Sequence, residues 1–202
     1  AAPDRYVLAG IGDAYSKNYE AEISSRGEKL PHYTEVGVGF SKMCLTPMLE
    51  YGRQALEDNK KGVATEALEQ VALAIVVTTA IVSIFLTRDF TPDYNSGLAH
   101  ACFYALTAYP VIEKEHLHGE VVGFGVLYAL LVDGQQEEFE KIYALNKELG
   151  LPVRIADIGI TEEQFFETMD RIPQMSDIRH YPYAVTKEML MQAYETIEQL
   201  PV

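Results

Sequence analysis

The chain has 202 residues, 48% of them hydrophobic, with 16 basic against 30 acidic side chains and a net charge of −14. This is enough apolar material for a substantial core, and an acidic balance with no basic cluster argues against nucleic-acid or anionic-membrane partners. Cys44 and Cys102 both sit in apolar surroundings and read as buried free thiols of a reducing, cytoplasmic compartment, not as a disulfide framework.

The start, "AAPDRYVLAG", carries neither the basic end nor the apolar core of a signal peptide. Its "RYVLAG" reads as an extended apolar segment. Gly10 and Gly12 then read as the opening of a first helix over 12–25, with Asp13 as its N-cap and Lys17, four residues on, as a surface ion-pair partner. A second helix is expected over 38–59, kinked or split by Pro47. A third is expected over 65–86. Its apolar run "VALAIVVTTAIVSIFL" has sixteen residues, short of the roughly 20 that span a bilayer, and reads as a buried core helix.

"TPDYNSG" breaks the chain, and Asn95 or Ser96 is placed to cap a helix running to Ala108. "YPVIEKEHLHG" reads as a connection, followed by helices over 119–132 and 135–149. Gly150 and Pro152 end the latter. Thr161 and Gln164 form a capping box for the next helix, and the last begins near Thr186. The expectation is one all-α domain of about eight helices, without internal repeat or linker.

Few groups could carry chemistry. His100 lies in a helix that is apolar almost all round, where a lone imidazole is more often a hydrogen-bonded core residue. His116 and His118 precede Gly119 and could be polar residues near a helix start. Asp13 could be only a cap. Taken together, Asp13, His100 and His118 make a sound three-ligand set for a divalent metal with a position left open. Their spacing matches no short zinc signature. "GFG" at 123–125 follows no strand and reads as close helix packing, not a phosphate loop. No G-x-S-x-G occurs, and neither cysteine has a base nearby in sequence.

The stretches "APDRYVLAGIGDAYSKNYEAE", "ATEALEQ", "NSGLAHACFYALTAYP", "HLHGEVVGFGVLYALL" and "LGLPVRIADIGIT" follow one another over nearly the whole chain. In this order they resemble the C-terminal helical domain of the iron-containing alcohol dehydrogenase superfamily, within it the glycerol dehydrogenase branch, whose helical half has a dehydroquinate synthase-like fold. The resemblance implies that 1–202 is a metal-binding helical catalytic domain. It implies that 1–8 is a remnant of the junction to an N-terminal α/β domain that binds NAD and is absent here. It assigns the catalytic metal to Asp13, His100 and His118, with Zn2+ expected and Fe2+ as the alternative. Iron-dependent branches carry a further histidine ligand where this chain has Lys17; an ammonium cannot ligate a cation, so three protein ligands and a substrate-proximal Lys17 are implied.

Phe103 and Val121 stand where the branch often has a histidine and a lysine, so the substrate is expected to be a small polyol or alcohol, not necessarily glycerol. The function implied is NAD-dependent oxidation of that hydroxyl, with this chain inactive by itself. The alternatives are a non-catalytic assembly module of the family, or a dehydroquinate synthase-like lyase. A homo-oligomer is expected, because a helical half separated from its nucleotide domain keeps an apolar face.

Overall fold

The computed structural model describes residues 2–87 and 93–201, and among these the chain is helical with no strand. Helix α1 (Asp4–Ser25) begins at Pro3, about two turns before Gly12. "RYVLAG" is therefore helical, not extended, and Asp13 lies mid-helix and caps nothing. The glycines misled because each costs a helix interior about 1 kcal/mol. Their reason is tertiary. A Cβ on Gly12 would lie 2.2 Å from the carbonyl oxygen of Gly119, and one on Gly119 would lie 1.9 Å from that of Ala9. Gly119 is the second residue of α7 (His118–Val132). The two backbones cross in contact because neither carries a side chain there.

Close packing also explains "GFG". A Cβ on Gly123 would meet the Tyr15 hydroxyl at 2.5 Å, and one on Gly125 would meet the Ala99 carbonyl oxygen at 2.6 Å. Ala99 belongs to α5 (Leu98–Leu106). Helix α7 thus passes between α1 and α5 and is buried along most of its length. The Tyr15 hydroxyl donates to Asn146 Oδ1 at 2.8 Å, and the Asn146 amide donates to the Gly123 carbonyl, tying α1 and α7 to α8 (Gln136–Leu149).

Helix α2 (His32–Lys61) runs unbroken through Pro47, which neither splits nor ends it. Next, α3 (Glu66–Leu73), a π turn (Ala74–Thr78) and α4 (Thr79–Leu86) join into one helix of 21 residues. Thr65 caps its start, and the Thr79 hydroxyl donates to the Ala74 carbonyl across the π turn at 3.0 Å. The expectation of a buried core helix fails here: only 17% of its most apolar window is buried. The helix is also long and apolar enough, by length and composition, to cross a membrane. Val71, Ala74, Val82 and Leu86 face the body of the molecule, while Leu73, Val76, Val77, Ile81 and Ile84 face out. An all-round apolar pattern usually means burial on all sides, but here neighbours cover one side alone.

Of the chain break before α5, residues 91–92 lie outside the described residues. The cap of α5 is neither Asn95 nor Ser96: its N-cap residue is Gly97, and the exposed donors there are met by a carboxylate from α1. The "YPVIEKEH" connection contains a short helix, α6 (Pro110–Glu115). Gly150 ends α8 with φ 84°, the Thr161–Gln164 box opens α9 (Glu162–Arg171), and Thr186 caps α10 (Lys187–Glu198), all as the sequence predicts. Ten α-helical segments therefore stand among the described residues, the excess over eight coming from α6 and from the π turn. Cys44 and Cys102 are both buried and free.

The α1–α7 crossing predicts opposite outcomes for two glycines. Gly119→Ala forces the backbones apart and should cost about 3 kcal/mol or more. At Gly39, in α2, an added Cβ meets nothing within 4 Å, so Gly39→Ala should gain about 0.5–1 kcal/mol from helix propensity. Urea unfolding of both variants reads the two signs.

Candidate metal centre

Each of the three sequence-predicted residues sits on a different helix of this crossing. Asp13 lies on α1, one residue past Gly12. His118 is the first residue of α7. His100 is in the first turn of α5. One donor atom from each lies within 4.8 Å of the others. His100 Nε2 is 3.7 Å and His118 Nε2 3.4 Å from the same Asp13 oxygen, Oδ1. The imidazole centroids are 5.2 Å apart. The burial is graded: the His100 side chain is 5% exposed, Asp13 28% and His118 42%. The cluster is closed behind and open on the His118 side.

The start of α7 is fixed independently. Glu120 accepts from the backbone N–H of Leu117 at 3.0 Å and receives Arg5 in a two-pronged pair, Nε at 2.6 Å and Nη2 at 2.8 Å. Arg5 also donates to the Glu115 carbonyl. Bidentate guanidinium–carboxylate pairs restrict orientation more than single contacts do, so the first turns of α1 and α7 hold each other and with them Asp13 and His118.

Glu20 was missed by the sequence reading, and it governs His100. It lies on α1 two turns beyond Asp13 and is fully buried. One oxygen accepts from the backbone N–H groups of Gly97 at 2.8 Å and His100 at 2.9 Å. The other lies 2.6 Å from His100 Nδ1. Burial pushes its carboxyl up, but the facing His100, Lys17 and these hydrogen bonds prevail and hold it below the usual carboxylate range. An ionised carboxylate only accepts, so the proton of a neutral His100 sits on Nδ1 and the Nε2 lone pair faces Asp13. The signal was present: in "GDAYSKNYEAE" positions 13 and 20 share a helix face.

Asp13 follows the same balance. Burial raises its carboxyl, but the His118 hydrogen bond and the charges of Lys17, His100 and His118 outweigh this and bring it to about 2. It is a carboxylate at any ordinary pH. Lys17 is buried, not a surface partner, and its ammonium donates to the Asn95 carbonyl at 3.3 Å. Phe103 stands edge-on to His118, with centroids 4.4 Å apart, and forms an apolar wall beside the cluster. Val121 belongs to the hydrophobic core. A carboxylate oxygen and two imidazole nitrogens at this spacing, one ring tethered through its far nitrogen, form donor chemistry that could hold Zn2+ or Fe2+.

No family model matches the chain. Individual proteins do. A glycerol dehydrogenase of Pseudomonas putida is 30% identical over 98% of this chain, and one of Thermotoga maritima is 29% identical over the same share. The chain is thus similar to glycerol dehydrogenases over almost its whole length. It spans about half the length of those relatives, 54% of each. The solved glycerol dehydrogenase of Schizosaccharomyces pombe superposes with a TM-score of 0.80 at 23% identity, over 98% of this chain and 50% of its own. A probable glycerol dehydrogenase of Sinorhizobium meliloti gives 0.80 at 24%, over 98% and 56%. The all-α fold is therefore that of one half of these glycerol dehydrogenase structures.

The depressed Asp13 carboxyl predicts an acid limb in the metal-free chain. Its folded value of about 2 lies below the ordinary 3.8. Its stabilisation is thus present above pH 4 and is lost as pH falls towards 2, up to about 2 kcal/mol. Asp13→Asn should be less stable than the wild type at pH 7, and the gap should close through that window. Urea unfolding from pH 7 to pH 2 measures it.

Proposed function

We propose that this chain is the metal-binding catalytic half of an NAD-dependent dehydrogenase acting on a small polyol or alcohol. The single observation that carries the reading is the convergence of Asp13, His100 and His118 at one mouth, in a chain similar over almost its whole length to glycerol dehydrogenases. Asp13, His100 and His118 would hold a divalent cation there, which would supply Lewis acidity to a substrate hydroxyl, and an NAD-binding half would supply the hydride acceptor.

The chain's own residues do the positioning. The Asp13 carboxylate supplies the negative charge that offsets a dication. Glu20 locks the His100 ring, so that its Nε2 is presented without rearrangement. His118, the most exposed of the three, borders the open side where substrate enters. The Lys17 ammonium, drawn to the Asn95 carbonyl, is one turn along α1 and adds positive field near a developing alkoxide. It contributes no lone pair, which favours three protein donors and zinc over iron. The Phe103 wall limits polar contacts on that side and supports a substrate other than glycerol. Similar proteins include a hydroxycarboxylate dehydrogenase of Escherichia coli and a glycolaldehyde reductase of Halobacterium salinarum, so substrates differ within this group. Two buried free thiols suit a cytoplasmic enzyme.

A non-catalytic module is the second reading, favoured by the half-length match. Metal binding and complementation separate the two. The 202-residue chain should bind one Zn2+, measured by calorimetry. Asp13→Ala, His100→Ala and His118→Ala should each weaken it at least about 100-fold, and Glu20→Gln about 10–100-fold by loosening the His100 ring. The chain alone should not oxidise glycerol with NAD, whereas a chain joined to an NAD-binding partner half should. Zinc binding that ignores all four substitutions would sink the site.

A further inference from the structure

Tyr104 is a large aromatic residue that the core does not enclose: it is 46% exposed. It lies on α5 one turn after His100, with Phe103 beside it, so the three share one side of the helix. Their rings close into a circuit with His118. The centroids stand 5.2 Å apart from His100 to His118 and 4.4 Å from His118 to Phe103. They stand 5.3 Å apart from Phe103 to Tyr104 and 6.2 Å from Tyr104 back to His100. Two imidazoles of the metal centre and two benzene-type rings therefore form one continuous wall. Phe103 packs back against the hydrophobic core and steadies it, while Tyr104 and His118 leave it open to solvent.

Resting on the function proposed above, we infer that this wall selects an alcohol whose carbinol carbon bears an apolar alkyl or aryl group, over a polyol such as glycerol. Phe103 and Tyr104 are the residues that set this preference. An alcohol whose hydroxyl sits at the Asp13, His100 and His118 cluster places its neighbouring carbons within reach of rings that lie 4.4 Å and 6.2 Å from those imidazoles.

The chemistry of the wall decides the sign. A polyol brings a hydroxyl on every carbon, and a hydroxyl taken from water without a partner loses more than a well-made bond returns. The polar groups around the wall are already engaged. The Ser96 hydroxyl donates to Asp177 at 2.8 Å, Glu20 receives two backbone donors and His100 Nδ1, and the Lys17 ammonium donates to the Asn95 carbonyl. The Tyr104 hydroxyl has no hydrogen-bond partner among the described residues, but it is a single group against the several hydroxyls of a polyol. An apolar substituent needs no such partner. It gains by leaving water, and an aryl group gains further from edge-to-face contact with the pair.

The test is a titration of the zinc-loaded 202-residue chain with glycerol, butane-1,2-diol and 1-phenylethane-1,2-diol. The three share a vicinal diol and differ in the one substituent that would meet the wall. Binding is read by NMR from the ring-proton shifts of the histidines, Phe103 and Tyr104. Affinity should rise in that order, about 10-fold or more from glycerol to the phenyl diol, and the phenyl diol should move the Phe103 and Tyr104 signals. Tyr104→Ser should cut that gain to a few-fold with zinc affinity unchanged, whereas Tyr104→Phe should keep it. Tyr104 is exposed, so helical circular dichroism should be the same in all three chains. Equal affinities for the three diols overturn the inference and leave the metal centre standing. So does a preference that Tyr104→Ser leaves untouched, or a phenyl diol that binds without moving either ring. A chain that binds no Zn2+ by calorimetry overturns the metal centre, and this inference with it.

Discussion

The backbone contact of α1 with α7 is the constraint on which the rest depends. Two helices normally stand 8–10 Å apart because side chains fill the space between them. Gly12 and Gly119 remove that filling at one point, and the residues beside them, Asp13 and His118, are brought within 3.4 Å. Had either position carried a methyl group, the carboxylate and the imidazole would face each other across a gap. The glycines thus contribute nothing to the chemistry of the cluster and everything to its geometry. The Arg5–Glu120 pair closes the same crossing from the other end.

Glu20 adds the third helix to this pair. A buried carboxylate is unfavourable by itself, and its retention here is explained by how much it satisfies: two backbone donors at the start of α5 and one imidazole nitrogen. The start of α5 has no side-chain cap of its own, so α5 is held to α1 by the group that also sets the orientation of His100. Stability and site geometry share a residue, which makes the region rigid without any loop taking part.

Parts of this were legible in the sequence and parts were not, for physical reasons. Caps with local partners were readable: Thr161 with Gln164, Thr186, and Gly150 before Pro152 act within one turn of chain. The metal-type triad was legible as residue types and through its family resemblance, though 87 residues separate its first two members. The helix start at Asp13 was misread because glycine is a weak helix former, and only the partner helix supplies its reason. Asn95 and Ser96 looked like caps because their side chains suit the role; the group in place came from 77 residues away. The 71–86 run was misread as core because hydropathy records what a residue prefers, not what covers it.

The π turn at Ala74–Thr78 has a consequence for what may change in this chain over time. A π turn absorbs one residue beyond the α-helical count, so everything after it is rotated about 100° from where an uninterrupted helix would place it. A single-codon deletion between 74 and 78 would therefore remove the absorbed residue, let the ladder close as plain α-helix and leave Val82 and Leu86 still turned to the core. The same deletion a few residues later, with the π turn kept, would turn the remainder of the helix by about 100° and bring buried side chains to the surface. The π turn is thus the place along this helix where a change of length is tolerated.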